Sequence, residues 1–127
     1  DELLLRRLLQ RRADGTALVV GIEGIKKLTV SAHERKLGGR GTGIDAEETD
    51  RPIKLSLAEK ILSPRELSRF REAAEPRAAL LRLWVLKEAY AKLLGKGLGD
   101  YLYQTDFDPE DPRVLIIDGC YVAVLEE

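Results

Sequence analysis

Two carboxylates stand close together in the stretch GIDAE (43–47), at Asp45 and Glu47. On a β-strand, side chains two positions apart point to the same side, so these two carboxylates would project together. Carboxylates held side by side repel one another unless a proton or a cation lies between them. The pattern therefore predicts a short strand with an acidic edge that could bind a cation.

A second group of charged residues lies further along the chain, in the stretch WVLKEAYAKLLGKGL (84–98). On a helix, Trp84, Glu88 and Lys92 share one stripe of the surface, because residues four positions apart are neighbours there. Lys87 directly precedes the glutamate. Most of the other positions are apolar, which is typical of a helix with one charged stripe and a buried face.

Three carboxylates and two lysines suit the binding of a metal-bound pyrophosphate. Oxygen ligands from Asp45, Glu47 and Glu88 are those that Mg²⁺ prefers, and lysines act as point charges for phosphate, here Lys87 and Lys92. Such a set favours phosphoryl-type chemistry. Spacing alone leaves another interpretation open, because acid–lysine pairs four apart often form only a solvated helix face, and acids two apart only a polar turn.

Two glycine-rich stretches are weaker candidates for phosphate binding. GGRGTG (38–43) lacks the Gly-Lys-Ser/Thr ending of a P-loop, and GKG (95–97) follows a helix instead of opening one. Both are therefore predicted to be turns, with Lys96 as a candidate phosphate contact. Ser31 and His33 are candidates to orient a ligand, although a lone histidine in a polar loop is more often a bystander.

The composition is that of one ordinary globular domain, with 127 residues, 44% of them hydrophobic, and a formal net charge of -1. Nucleic-acid-binding domains usually carry a basic excess, so this balance predicts no nucleic-acid partner. No apolar run approaches the ~20 residues that span a bilayer and no signal-peptide pattern is present, so we expect a cytoplasmic protein without membrane association. A single cysteine, Cys120, excludes an internal disulfide and is expected to be buried.

Periodicity and breaker residues predict the elements that position these groups. Residues 1–40 are expected to form a helix ending near Asp14, strands at 17–22 and 27–31, and then a polar loop. After a strand at 43–47, helices are expected over 55–62, from Ser63 to about Ala74, and over 77–94.

The predicted second helix begins with a capping box of Ser63 and Glu66, and Gly95 and Gly97 end the third helix. Strands are expected at 101–107 and 113–125, the latter split by a hairpin turn at Asp118-Gly119. The order of elements predicts an α+β fold in which helices pack on an antiparallel sheet.

The two charged motifs resemble the signature of the 4'-phosphopantetheinyl transferase superfamily. That signature is G-I/V-D-x-E followed by W-x-x-K-E-A/S-x-x-K, here GIDAE (43–47) and WVLKEAYAK (84–92). ILSPREL (61–67) is similar to the helix start that lies between the two motifs in the family, and GKGL (95–98) to the family's glycine-rich exit. The tryptophan looks like the Sfp-type branch more than the stand-alone holo-acyl-carrier-protein synthases, and would mainly anchor its helix in the core.

The resemblance implies a reaction and a set of roles. Such enzymes transfer the phosphopantetheine arm of coenzyme A to a serine of an apo acyl or peptidyl carrier protein and release adenosine 3',5'-bisphosphate. Asp45, Glu47 and Glu88 would hold Mg²⁺ against the CoA pyrophosphate, and Glu88 would also help to deprotonate the serine. Lys87 and Lys92 would neutralise phosphate charge, and Lys92 is implied to be catalytic together with Glu88.

The N-terminal third resembles the family only in fragments. Sfp-type enzymes join two similar modules and bind CoA between them, so residues 1–40 are interpreted as a partial first module and 41–127 as the catalytic module. The family's G-K-P and S-H-S elements correspond to GIKK, with Lys26, and SAH, with Ser31 and His33, which implies CoA contacts for these three residues. A partial module predicts either a longer chain or a homo-oligomer that completes the site.

Two other functions stay open from the sequence. A catalytically weak or inactive module of the same fold would bind CoA or a carrier protein without efficient transfer. Alternatively, the chain is an α+β domain whose charged clusters are merely solvated.

Overall fold

The computed structural model describes residues 42–95 and 103–126. In these ranges the chain forms an antiparallel sheet of three strands, in the order β1-β3-β2. The strands are β1 (Thr42–Glu48), β2 (Val114–Ile117) and β3 (Cys120–Glu126). A 3-10 turn (Leu55–Leu57) leads into the helices α1 (Ala58–Ile61), α2 (Pro64–Glu72) and α3 (Pro76–Leu94). The predicted α+β fold, with helices on an antiparallel sheet, is confirmed.

The predicted elements of residues 1–40, and with them the partial first module, lie outside the described residues, as does Gly97. None of the helices in the described ranges is long and apolar enough to cross a membrane.

Helix α3 is buried on two sides because its apolar residues face two different groups of neighbours. One side packs on the sheet and includes Leu81, Val85 and Ala89. The other side packs on α1 and includes Leu80 and Leu83. Full burial of a leucine or valine side chain contributes about 1.5–3 kcal/mol each. This packing leaves the stripe of residues 84, 88 and 92 at the edge of the core.

Local signals explain where the elements begin and end. The Ser63 side chain accepts from the backbone N–H of Glu66 and the Glu66 side chain accepts from that of Ser63, so the predicted capping box is confirmed. Gly95 ends α3 in the left-handed region with φ 68. At the predicted hairpin turn, Asp118 and Gly119 both have positive φ (55 and 73), as a tight turn between antiparallel strands requires. Cys120 is buried as expected.

Three predicted elements differ from the structure. The helix expected over 55–62 is a 3-10 turn followed by the single turn of α1, and the second helix ends at Glu72. The strand expected at 101–107 is wrong for its described part, since residues 103–107 form a turn and irregular backbone. The reason is that α2 satisfies the polar groups of this segment: Glu66 accepts from the Thr105 hydroxyl and from the backbone N–H of Phe107.

Candidate functional site

The structure brings the two charged motifs together along the contact between α3 and β1. The indole Nε1 of Trp84 donates to Glu47 Oε1 at 3.3 Å. Two turns further along the helix, Lys92 Nζ donates to Asp45 Oδ1 at 2.8 Å. Glu88 lies between these two positions on the same stripe. Two residues that are eight positions apart on the helix therefore contact two residues that are two positions apart on the strand.

Gly43 explains how the strand can lie so close to the helix. A Cβ atom at this position would overlap the carbonyl oxygen of Ala89 and would come within 2.8 Å of the backbone nitrogen of Leu93. Only a residue without a side chain fits there, because both obstacles are backbone atoms of α3. The glycine of the GIDAE motif thus sets the distance between β1 and α3, which puts Asp45 and Glu47 within reach of the charged stripe.

Asp45 is the most perturbed carboxylate of the site. It is 8% exposed, and its Oδ2 atom is buried with no hydrogen-bond partner among the described residues. Burial raises the pKa of Asp45 to about 6, against the opposing effect of the Lys92 ammonium, and the negative charges of Glu88 and Glu47 raise it further. Only one carboxylate oxygen of Asp45 binds Lys92, and two other acids repel its charge, so its second oxygen could bind a cation.

Glu88 and Glu47 belong to the same electrostatic group. Burial raises the pKa of Glu88, with a further contribution from the charge of Glu47, although Lys92 and Arg51 oppose the shift. Glu47 Oε1 forms an ion pair with Arg51 at 2.7 Å in addition to its hydrogen bond with the indole. The three acids therefore influence one another, and two basic side chains partly neutralise them.

The donor set of this group fits a hard cation in its chemistry. Mg²⁺ prefers carboxylate oxygens, and the buried oxygen of Asp45 lies in the negative field of two neighbouring acids. In the described part of the chain, no three or more His, Cys, Asp or Glu side chains are arranged as a ready metal cluster. Lys92 and Arg51 are the cations that the acids bind in this arrangement.

Lys87 lies elsewhere than predicted, and we correct its role. Its side chain is 1% exposed, and its ammonium binds Glu66 Oε1 at 2.7 Å and Thr105 Oγ1 at 2.6 Å. Consecutive helical residues are turned by about 100° from one another, so Lys87 faces α2 while Glu88 stays on the stripe beside β1. An enclosed ammonium of this kind is not available to neutralise a phosphate.

Sequence reasoning missed the partners of Lys87 and the role of Arg51. The sequence pattern identifies Glu66 only as part of a capping box and predicts that Thr105 lies on a strand. One signal was available: a lysine in line with Leu80 and Leu83 on a core-facing side of the helix needs a buried acid as partner. The sequence offers many acids, so this signal does not by itself identify Glu66.

Four of the predicted CoA or phosphate contacts, Lys26, Ser31, His33 and Lys96, lie outside the described residues. Their roles stay predictions.

Comparisons with known proteins agree with the motif pair. A sequence model of the 4'-phosphopantetheinyl transferase superfamily matches residues 41–117. A holo-[acyl-carrier-protein] synthase of Lactobacillus helveticus is 36% identical over 70 residues, which are 50% of this chain and 59% of that protein. The corresponding synthase of Geobacillus kaustophilus is 40% identical over 75 residues, 54% of this chain and 58% of that protein. The chain thus spans less than two thirds of the length of these curated relatives. No solved structure was found to match it significantly.

Proposed function

The chain belongs to the 4'-phosphopantetheinyl transferase superfamily, and from this premise we propose that it transfers the 4'-phosphopantetheine arm of coenzyme A to a serine of an apo carrier protein. The observation that carries the proposal is the placement of Asp45 and Glu47 against the Glu88–Lys92 stripe of α3. The serine oxygen would form a bond to the phosphorus that bears the arm. The bond between that phosphorus and the leaving adenosine 3',5'-bisphosphate would break.

We propose that Asp45, Glu47 and Glu88 hold Mg²⁺ in the active protein. When bound, the ion would neutralise charge on the CoA pyrophosphate and polarise it towards attack. The unpartnered oxygen of Asp45 and the mutual repulsion of the acids support this assignment. Glu88 is suited to accept the proton of the serine hydroxyl, because its raised pKa brings it closer to the range of an effective general base.

Lys92 is proposed to stabilise the phosphate charge of the reaction. Its side chain is 35% exposed and ends at the acidic group, so its ammonium can reach both Asp45 and a ligand that enters from solvent. Lys87 is left out of the phosphate site because it is enclosed.

The finer assignments remain proposals. The matched relatives are holo-[acyl-carrier-protein] synthases, which favours an acyl carrier protein as partner. Membership of the Sfp-type branch, a cytoplasmic location, self-association, and the division into a partial module (1–40) and a catalytic module (41–127) stay predictions from the sequence.

The direct test is to incubate the protein with an apo acyl carrier protein, CoA and Mg²⁺ and to measure the mass of the carrier. We expect the carrier to gain the mass of the arm, and we expect Asp45→Ala and Glu88→Gln to abolish the gain while circular dichroism stays unchanged. Glu59→Gln, on the exposed side of α1, is the matched control and should transfer normally.

Two outcomes would count against the proposal in different ways. Wild-type rates in both Asp45→Ala and Glu88→Gln would refute the assignment of the metal ligands. If the wild-type protein bound CoA or the carrier in calorimetry without transferring the arm, the chain would be a binding module of the same fold.

A further inference from the structure

A buried polar network lies on the side of α3 that faces α2 and the segment 103–107. Lys87 Nζ donates to Glu66 Oε1 and to the hydroxyl of Thr105, and this hydroxyl donates to Glu66 Oε2 at 2.7 Å. The side chains of Lys87 and Glu66 are 1% and 0% exposed. Three segments that are distant in sequence thus meet at one enclosed ion pair.

Each carboxylate oxygen of Glu66 accepts two hydrogen bonds. The backbone N–H of Ser63 and the ammonium of Lys87 donate to Oε1, and the Thr105 hydroxyl and the backbone N–H of Phe107 donate to Oε2. Burial raises the pKa of Glu66, but these donors outweigh it and hold the pKa below its usual value. The start of α2 and the segment 103–107 are therefore fastened to one anion.

Such a network specifies position more than it adds stability. An enclosed ion pair repays its loss of hydration only when the geometry is good, and apolar residues of similar size often give equal or greater stability. All donors and acceptors of this network are used in the present arrangement, and a rotation of α3 that carried Lys87 out of reach would leave the Glu66 carboxylate buried without its charge partner. The network thus favours one rotation of α3 about its own axis.

That rotation decides where the functional stripe points. Lys87 is adjacent to Glu88, and Trp84 lies one turn before Lys87 on the same helix. The close-packed apolar contacts of α3 also resist rotation, but they are non-directional, whereas the ion pair and its hydrogen bonds favour one orientation. Contacts on the α2 side can therefore influence the placement of Glu88 and Lys92, which lie beside β1 on another side of the helix.

We propose that Glu66, Lys87 and Thr105 are positioning residues of the proposed transferase site, which hold α3 in the rotation that places Glu88 and Lys92 against β1. The part of this inference that concerns catalysis rests on the proposed function. The part that concerns the position of α3 can be tested without any transfer reaction.

The test uses the double variant Glu66→Gln/Lys87→Met, which removes both charges and leaves no buried unpaired ion. We expect a melting temperature above that of Lys87→Met but below that of the wild type, because the single amide oxygen of glutamine can accept from only one of the backbone N–H groups of Ser63 and Phe107. At a temperature where the variant is fully folded, we expect a fall in kcat of about tenfold or more and a nearly unchanged KM for CoA, because small misplacements of reacting groups slow chemistry strongly. If Glu66 and Lys87 contributed to stability alone, the double variant should have the wild-type kcat at any temperature where it is fully folded.

A second readout is independent of transfer. Trp84 is the sole tryptophan of the chain, so its indole N–H gives a single NMR signal that reports the hydrogen bond to Glu47 across the contact between α3 and β1. In the double variant we expect this N–H to exchange with solvent several-fold faster. The matched control is Glu59→Gln/Arg71→Met, which removes an exposed ion pair between α1 and α2 and should leave exchange and kcat unchanged.

The outcomes separate the two proposals. Wild-type exchange at Trp84 together with wild-type kcat in the double variant would overturn the positioning role. Faster exchange in the variant, in a protein that never transfers the arm, would support the positioning of α3 and refute the proposed reaction. If the double variant fails to fold, Thr105→Val removes one hydroxyl and leaves the ion pair intact. This variant should speed the exchange of the Trp84 indole N–H with solvent. An unchanged exchange rate would count against the proposal.

Discussion

At the scale of single residues, Asp45 shows how a proposed function can oppose stability. Its carboxylate is buried, has one oxygen without a partner in the described ranges, and is repelled by Glu47 and Glu88. A cation would relieve each of these costs, whereas without one the native state carries them. Residues that lower stability at one place are common where binding or catalysis requires them.

We therefore predict that Asp45→Asn stabilises the protein in EDTA at pH 7. The folded-state pKa of about 6 exceeds the ordinary value of 3.8, so the native state binds this proton more tightly than the unfolded state. The carboxyl's destabilising effect is thus absent below pH ~4, grows as the pH rises through 6, and reaches at most about 3 kcal/mol. Urea unfolding across this range should show a gap between variant and wild type that opens with rising pH. A gap independent of pH would contradict the prediction.

The ion pair of Lys87 leads to a second prediction at this scale. Lys87→Met alone should lower the free energy of unfolding by about 3–5 kcal/mol, because it leaves the Glu66 carboxylate charged and enclosed. Adding Glu66→Gln should restore part of the loss, since no unpaired ion then remains, although one backbone N–H, of Ser63 or Phe107, loses its acceptor. Chemical denaturation of both single variants and of the double variant gives the coupling energy. A double variant as unstable as Lys87→Met would show that the charge is not the cause.

At the scale of elements, the contact between β1 and α3 depends on the absence of one side chain. Gly43→Ala should lower the free energy of unfolding by about 3 kcal/mol, because the added methyl meets the Ala89 carbonyl and the strand must move away from the helix. The same variant should weaken the contacts between the strand acids and the helix stripe. Thermal unfolding measures the first effect, and the exchange rate of the Trp84 indole N–H measures the second.

Gly119→Ala is the control for this variant. A Cβ atom at Gly119 meets nothing within 4 Å, and the only cost comes from its positive φ of +73. We expect a loss of about 1 kcal/mol, which is the usual penalty of a left-handed residue with a side chain, and no change at Trp84. If Gly43→Ala also lost only about 1 kcal/mol and left the Trp84 indole N–H unchanged, the contacts between the strand acids and the helix stripe would not depend on the close approach of β1 to α3.

Most elements near the site could be predicted from sequence because their signals are local. The capping box at Ser63, the left-handed glycine at 95 and the hairpin turn at Asp118-Gly119 each depend on neighbouring residues only. The irregular conformation of segment 103–107 could not be predicted from sequence, because it depends on contacts with Glu66, nearly forty positions earlier. The contacts of Lys87 could not be predicted for the same reason, because its partner Glu66 belongs to another element.

At the scale of the whole molecule, the site is assembled from elements that the chain order separates. Helices α1 and α2 lie between β1 and α3 in sequence, and α2 in turn fixes α3 through Glu66. The acids of β1 and the stripe of α3 therefore come together only in the folded protein. Binding of a cation at this place should accordingly stabilise the fold as a whole.

We predict that Mg²⁺ raises the melting temperature of the wild-type protein relative to EDTA. A ligand that binds only the native state adds about 2.7 kcal/mol at a concentration of 100 times its Kd, so calorimetry over a range of Mg²⁺ concentrations should show a graded shift. Sodium chloride at matched ionic strength is the necessary control, because screening alone weakens the repulsion among Asp45, Glu47 and Glu88. Asp45→Asn and Glu88→Gln should each lose most of the Mg²⁺ shift. The stability advantage of Asp45→Asn over the wild type in EDTA should therefore shrink or reverse in saturating Mg²⁺. An equal Mg²⁺-induced rise in melting temperature for the wild type and Asp45→Asn would mean that the ion binds elsewhere.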